Sequence, residues 1–204
     1  MAALRTALAS LALLLAGGAL LAHLTHGLRA FTTEAARRLE VRRHPTPIPD
    51  AVLEDQSGKL LRLADLRGRW LLVDFIYTDC RTLCLALGGD FARLQRELAL
   101  PIARRQLVLL SISFDPGRDS PARLADYLRR MRSDGKGWLA ARPTNAAALG
   151  RLERAFGITV IADGDAYVHN AAIHLVDPRG RLVRIFDFAD PDAAARALSA
   201  RLGS

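Results

Sequence analysis

Hydrophobic and polar positions divide the chain into stretches with different periods. From Ala7 to Leu24 the residues ALASLALLLAGGALLAHL run without a formal charge, between Arg5 and Arg29. Eighteen residues at 1.5 Å each just cross a bilayer core, which predicts a membrane helix. A cleaved signal peptide is the alternative, with Arg5 as its basic start. No clean A-x-A site follows the apolar run, so an uncleaved anchor is the reading adopted. Residues 32–43 (TTEAARRLEVRR) predict a short helix with a Thr cap, Glu34 in its first turn, and Phe31, Ala35 and Leu39 on one stripe. This helix is expected along the membrane surface. After it, residues 44–49 (HPTPIP) read as a stiff, extended linker and a domain boundary.

Beyond the linker the period alternates between that of strands and that of helices. Residues 51–63 predict two short strands around Gln56-Ser57-Gly58, and Trp70–Tyr77 (WLLVDFIY) is apolar enough for a central strand covered on both faces. A helix is expected from about Thr82 to Leu98, with Leu83, Leu87, Phe91, Leu94 and Leu98 on one face. A second buried strand follows at Leu107–Phe114, completing a βαβ unit. Further helices are expected at 121–131, where Pro121 suits the first turn, and at 146–156, closed by Gly157. Strands at 171–176 and 181–186 flank Asp177-Pro178-Arg179-Gly180, a type I turn signal, and an amphipathic helix at 191–201 ends the chain. This order predicts an α/β, thioredoxin-like fold behind an N-terminal transmembrane helix. The expected organisation is an anchor at 1–28, a basic juxtamembrane helix and Pro-rich linker at 29–49, and a thioredoxin-like domain at 50–204.

Composition narrows the function classes. The chain has 204 residues, 50% of them hydrophobic and 6% aromatic, which excludes disorder and collagen-like or disulfide-dense classes. The formal charge of +8 is uneven, since residues 1–48 hold six Arg against two Glu. The remaining arginines sit among Ala and Leu at helical spacing without interleaved aromatics, which argues against nucleic-acid binding. The basic N-terminal third suits anionic lipid instead. A literal count of flanking charges would keep the domain cytoplasmic, although long domains translocate despite such charge.

The only two cysteines, Cys80 and Cys84, fall where the central strand hands over to a helix. Residues at i and i+4 share a helical face, so their sulfurs can converge on one ion or bond each other. The helix N-terminus and Arg81 favour thiolate, while Asp79 works against it. As a structural staple the pair would stabilise little, because a five-residue loop is worth roughly 2 kcal/mol. Two thiolates prefer Cu(I), with one imidazole completing a trigonal site. Zinc would want a fourth protein ligand in a closed site. His23, His26 and His44 belong to the N-terminal segments, leaving His169, in a loop-like position, and His174, which reads as a packed core histidine.

Three segments, VDFIYTDCRTLC (73–84), SFDPGRDSPARLADYL (113–128) and VHNAAIHLVDPRGRLV (168–183), resemble the Sco/SenC family of copper chaperones for cytochrome c oxidase assembly. The likeness covers about residues 48–201. It implies a thioredoxin-like domain outside the cytoplasmic (inner) membrane on a single-pass anchor, with copper as the metal and Cys80, Cys84 and His169 as its ligands. It also implies a copper-accepting oxidase subunit as partner. The chain departs from the family in lacking the prolines after both cysteines, where Arg81 and Leu85 stand, and in having Val168 before the histidine. A carboxylate partner for His169 is therefore not expected. Asp115 and Asp119 match the family's acidic loop, or simply cap the helix that begins near Pro121. The alternative function is a thiol-disulfide reductase in which Cys80 or Cys84 attacks a partner disulfide and the other resolves it. A peroxidase is a more distant reading, and a plain scaffold is the bland one.

Overall fold

The computed structural model describes residues 2–25, 27, 32–80 and 83–203; the side chains of Leu24 and residues 83–86 lie outside this description. Two compact units divide at residue 44.

The first unit holds two helices. α1 (Ala2–Leu24) has no buried residue within its apolar span, and its length and composition suffice to cross a membrane. α2 (Thr33–Arg43) starts as its sequence predicts, with Thr32 extended and its hydroxyl accepting from the Ala35 N–H. Arg38 pairs with Glu34 one turn earlier.

The second unit is built on an eight-stranded mixed sheet, in the order β1-β10-β9-β4-β5-β6-β2-β3. Its elements are β1 (Thr46–Pro47), β2 (Val52–Asp55), β3 (Leu60–Arg62), β4 (Trp70–Ile76), α3 (Leu83–Glu97), α4 (Ala99–Ala103), β5 (Leu107–Ser113), α5 (Pro121–Arg130), β6 (Trp138–Pro143), α6 (Ala146–Phe156), β7 (Val160–Asp163), β8 (Ala166–His169), β9 (Ala172–Val176), β10 (Arg181–Asp187) and α7 (Pro191–Leu202). β4, β5 and β6 run parallel, and β9 lies antiparallel beside β4. The uninterrupted apolar runs of β4 and β5 follow from this placement, because helices cover both of their faces. One face carries the rings of Phe91 and Tyr127 against Trp138, and the other packs Phe75 and His174 on Phe156.

Several elements differ from the sequence expectation. The linker contributes a strand: Thr46 and Pro47 pair with Leu182 and Arg181, and Ile48 N–H donates to Gly180 O. Pro45, Pro47 and Pro49 lack donors, which an edge strand tolerates. β6 is absent from the sequence reading because WLAARP has neither clean alternation nor a long apolar run. The predicted helix over 82–98 is found as α3, and Thr82 lies outside the described residues. Residues 160–169 form the hairpin β7–β8, a separate two-stranded sheet with Ile161 opposite Val168 and Val160 opposite His169. His169 thus ends a strand, where the sequence suggests a loop.

Candidate metal centre at the end of the central strand

β4 ends at Ile76, and Tyr77, Thr78, Asp79 and Cys80 turn toward the start of α3. Cys80 N–H donates to Tyr77 O at 3.3 Å, and the Cys80 side chain is buried. Cys84 occupies the first turn of α3. Its side chain, and the whole of Arg81 and Thr82, lie outside the described residues.

Neighbouring elements hold this turn at each residue. Thr78 donates from its backbone N–H to the Asp119 carboxylate (3.1 and 3.2 Å) and from its hydroxyl to Asp119 Oδ1 at 2.5 Å. Ser113 Oγ donates to the other oxygen at 2.6 Å. Burial pushes the Asp119 carboxyl up, against the opposing pull of these donors. Arg130 donates to Thr78 O at 3.1 Å, and Arg123 forks onto both oxygens of Asp79. Asp79 therefore meets a guanidinium of its own, and its charge beside Cys80 is compensated. Of the two readings of Asp119, acidic loop or cap of α5, the cap is set aside here. Ser120 is the cap, accepting from Arg123 N–H, while Asp119 faces inward and ties β5 to the cysteine turn.

His169 arrives from far down the chain. Alternation along β8 puts Tyr167 and His169 on one face and Val168 on the other. The inner face closes an aromatic cluster in which the His169 ring lies 4.8 Å from Phe114 and 6.4 Å from Tyr77, centroid to centroid. Tyr167 sits edge-on to both, at 5.6 and 5.2 Å, with the Arg118 guanidinium 5.0 Å above its ring. Arg118 also binds Asp115 and Asp165 O, joining the acidic loop to the hairpin. Tyr77, three residues before Cys80, is thus the common neighbour of the cysteine turn and the imidazole.

The histidine's own bonding suits metal ligation. Nδ1 lies 3.1 Å from Asn170 O. A carbonyl only accepts, so Nδ1 carries the proton and the lone pair sits on Nε2. This backbone carbonyl takes the place of the carboxylate partner that Val168 leaves the chain without. Burial lowers the imidazole pKa, which favours the neutral form. His174, by contrast, is 1% exposed in β9, with Nδ1 near Val73 O and Nε2 near Phe156 O, as a core histidine. Among the described residues no three His, Cys, Asp or Glu side chains converge on one point. The third donor of the expected set belongs to Cys84.

Sequence reasoning missed Thr78, Arg123, Arg130 and the ring cluster. The D-P-x-x-D-x-P spacing carried part of the signal, since a buried Asp four residues after another reaches further than a helix cap.

Residues 47–202 match the SCO1/SenC family. The chain belongs to that family. It is 33% identical over 140 residues to a putative copper-binding protein of Stutzerimonas stutzeri, covering 66% of each chain. It is 26% identical over 137 residues to the SCO1 protein homolog of Bacillus subtilis, covering 66% of this chain and 70% of that one. The match thus spans about two thirds of the length of these relatives. Among solved structures, Bradyrhizobium japonicum ScoI with copper bound superimposes with a TM-score of 0.65 at 25% identity, over 76% of this chain and 99% of that one. Yeast Sco1 with copper bound gives 0.64 at 20% identity over 78% and 90%, a likeness of fold. The thioredoxin-like α/β architecture expected from the sequence is the architecture of this SCO1/SenC chain.

Proposed function

We propose that this SCO1/SenC protein is a membrane-anchored copper chaperone that carries copper between Cys80, Cys84 and His169 and hands it to a copper-accepting subunit during cytochrome c oxidase assembly. The observation that carries this reading is the meeting of the His169 ring and the Cys80 turn on Tyr77. Two thiolates and an imidazole are a soft, three-donor set suited to Cu(I). Copper-bound relatives of the same fold support the choice of metal. Copper is cargo here, and three donors leave it open to incoming thiolates, so release proceeds by ligand exchange. The apolar α1 would hold the domain to the inner membrane, with residues 29–49 as a juxtamembrane segment and 50–204 as the copper-binding domain outside the cytoplasm.

The reductase reading uses the same two cysteines without the histidine. A copper titration beside a disulfide-exchange assay separates the two. Cys84→Ser should lose tight copper binding and His169→Ala should lose copper affinity while keeping exchange. Stoichiometric copper on Cys84→Ser refutes the site, and joint loss of both activities in His169→Ala refutes the separate role of the imidazole.

A further inference from the structure

Charged residues are distributed differently at the two ends of the sheet. Around the cysteine turn Arg118 and Arg123 pair with Asp115 and Asp79, and Arg130 with Asp126. At the opposite end, where β4, β5 and β6 begin, Arg67, Arg69, Arg104, Arg105, Lys136 and Arg179 have no carboxylate in ion-pair contact among the described residues. The acidic groups nearby are engaged elsewhere. Asp134 binds Gln95 and Lys136 N–H, Asp177 binds Arg181, and Asp65 accepts from Arg62 N–H.

A further observation locates what meets this end. A recess of about 640 Å³ opens between Arg69, Arg105 and Lys136, with Asp134, bound to Gln95, also on its wall and Ile102 and Val108 at its floor, and Leu100 of the adjoining α4 is 54% exposed. Cations around an apolar floor with a projecting leucine match an anionic headgroup above acyl chains. β1 runs down the edge of the sheet toward this end. Pro47 pairs with Arg181, the first residue of β10, and Ile48 N–H bonds to Gly180 O beside Arg179.

We propose that the unpaired cations at the start of β4, β5 and β6, with Leu100, form a docking face for an anionic bilayer surface, turning the cysteine end away from the membrane. This rests on the reading of α1 as the anchor. Each cation near such a surface is worth about fivefold in binding, so the face is screened by salt.

The test uses the full chain in vesicles of phosphatidylcholine with or without roughly a third phosphatidylglycerol, a composition at which such a surface attracts basic segments. Retention after alkaline carbonate extraction reports the anchor. Hydrogen exchange of residues 99–107 and 134–137 reports the face. The expected result is slower exchange of these residues in the anionic vesicles than in phosphatidylcholine alone, lost at high salt and in the Arg105→Glu/Lys136→Glu double variant, whose thiol titration matches the parent. Extraction by carbonate overturns the anchor reading. Retention with equal exchange in both vesicles overturns the docking face alone. Equal slowing by soluble glycerol phosphate without vesicles also overturns it, assigning the recess to a free phosphate ester.

Discussion

Asp74 lies at the middle of the central strand, fully buried, opposite Ser111 of β5, and neither carboxylate oxygen has a well-formed hydrogen bond. Ser111 Oγ already accepts from Trp138 Nε1 at 3.0 Å. Desolvation pushes the Asp74 carboxyl up to about 7. The folded state therefore holds this proton when the unfolded chain, titrating near 3.8, has released it. Stability from this group is full below about pH 4 and falls as pH rises toward 7, by roughly 4 kcal/mol in all. Asp74→Asn should match the parent near pH 4 and exceed it in unfolding free energy at pH 8. Urea titrations at both pH values check this, and parallel pH slopes for the two proteins would dismiss it. His169 has the opposite shift. Because burial lowers its pKa, the copper-affinity gap between parent and His169→Ala should persist to a lower pH than an ordinary imidazole would allow. Below the lowered pKa it should shrink about tenfold per unit as protons occupy Nε2. A gap already closing at pH 7 contradicts the buried imidazole.

The elements around the site act as clamps on the cysteine turn and the β7–β8 hairpin. Asp119 takes three hydrogen bonds from Thr78 and one from Ser113, so Asp119→Ala strands buried donors and should cost about 1–3 kcal/mol. The same variant should weaken copper binding, because the turn bearing Cys80 loses its tie to β5. Arg123 is half-exposed, and its pair with Asp79 contributes less than about 1 kcal/mol to stability. Its effect is electrostatic instead. Arg123→Ala leaves Asp79 uncompensated beside Cys80 and should slow alkylation of the thiols at pH 7 with the melting temperature nearly unchanged. Faster alkylation would show that the pair screens the thiols rather than activating them. Among the described residues the hairpin shares no hydrogen-bonded ladder with the main sheet, and ring contacts of Tyr167 together with the Arg118–Asp165 O bond hold it. Tyr167→Ala should therefore lower copper affinity several-fold while the core, measured by near-ultraviolet dichroism, stays native.

For the whole molecule, the residues that look like a linker belong to the sheet. A protein beginning at Pro45 keeps β1 against β10, whereas one beginning at Asp50 exposes that edge. The longer form should be more stable by about 1–3 kcal/mol, from two or three backbone hydrogen bonds and the burial they bring. Equal denaturation midpoints would mean that β1 adds nothing.

Patterns of short range were legible in the chain itself. Thr32, Ser120 and Gly157 cap helices by bonds within four residues, and the apolar runs of β4 and β5 announce strands buried on both faces, so α1, α2, α3, α5, α6 and the closing hairpin stand close to where periodicity puts them. The spacing of Cys80 and Cys84 and their place after β4 were likewise local facts. The pairing of His169 with that turn was not, since 88 intervening residues separate it from Cys80 and the contact depends on how β4, β5 and a detached hairpin pack their rings together. The inward aim of Asp119, the compensation of Asp79 by Arg123 and the recruitment of Thr46 and Pro47 as a strand are of the same kind. Each is a bond between segments whose separate sequences are compatible with several partners. Only the closed fold, which desolvates these groups together and leaves one arrangement that satisfies them, selects among those partners.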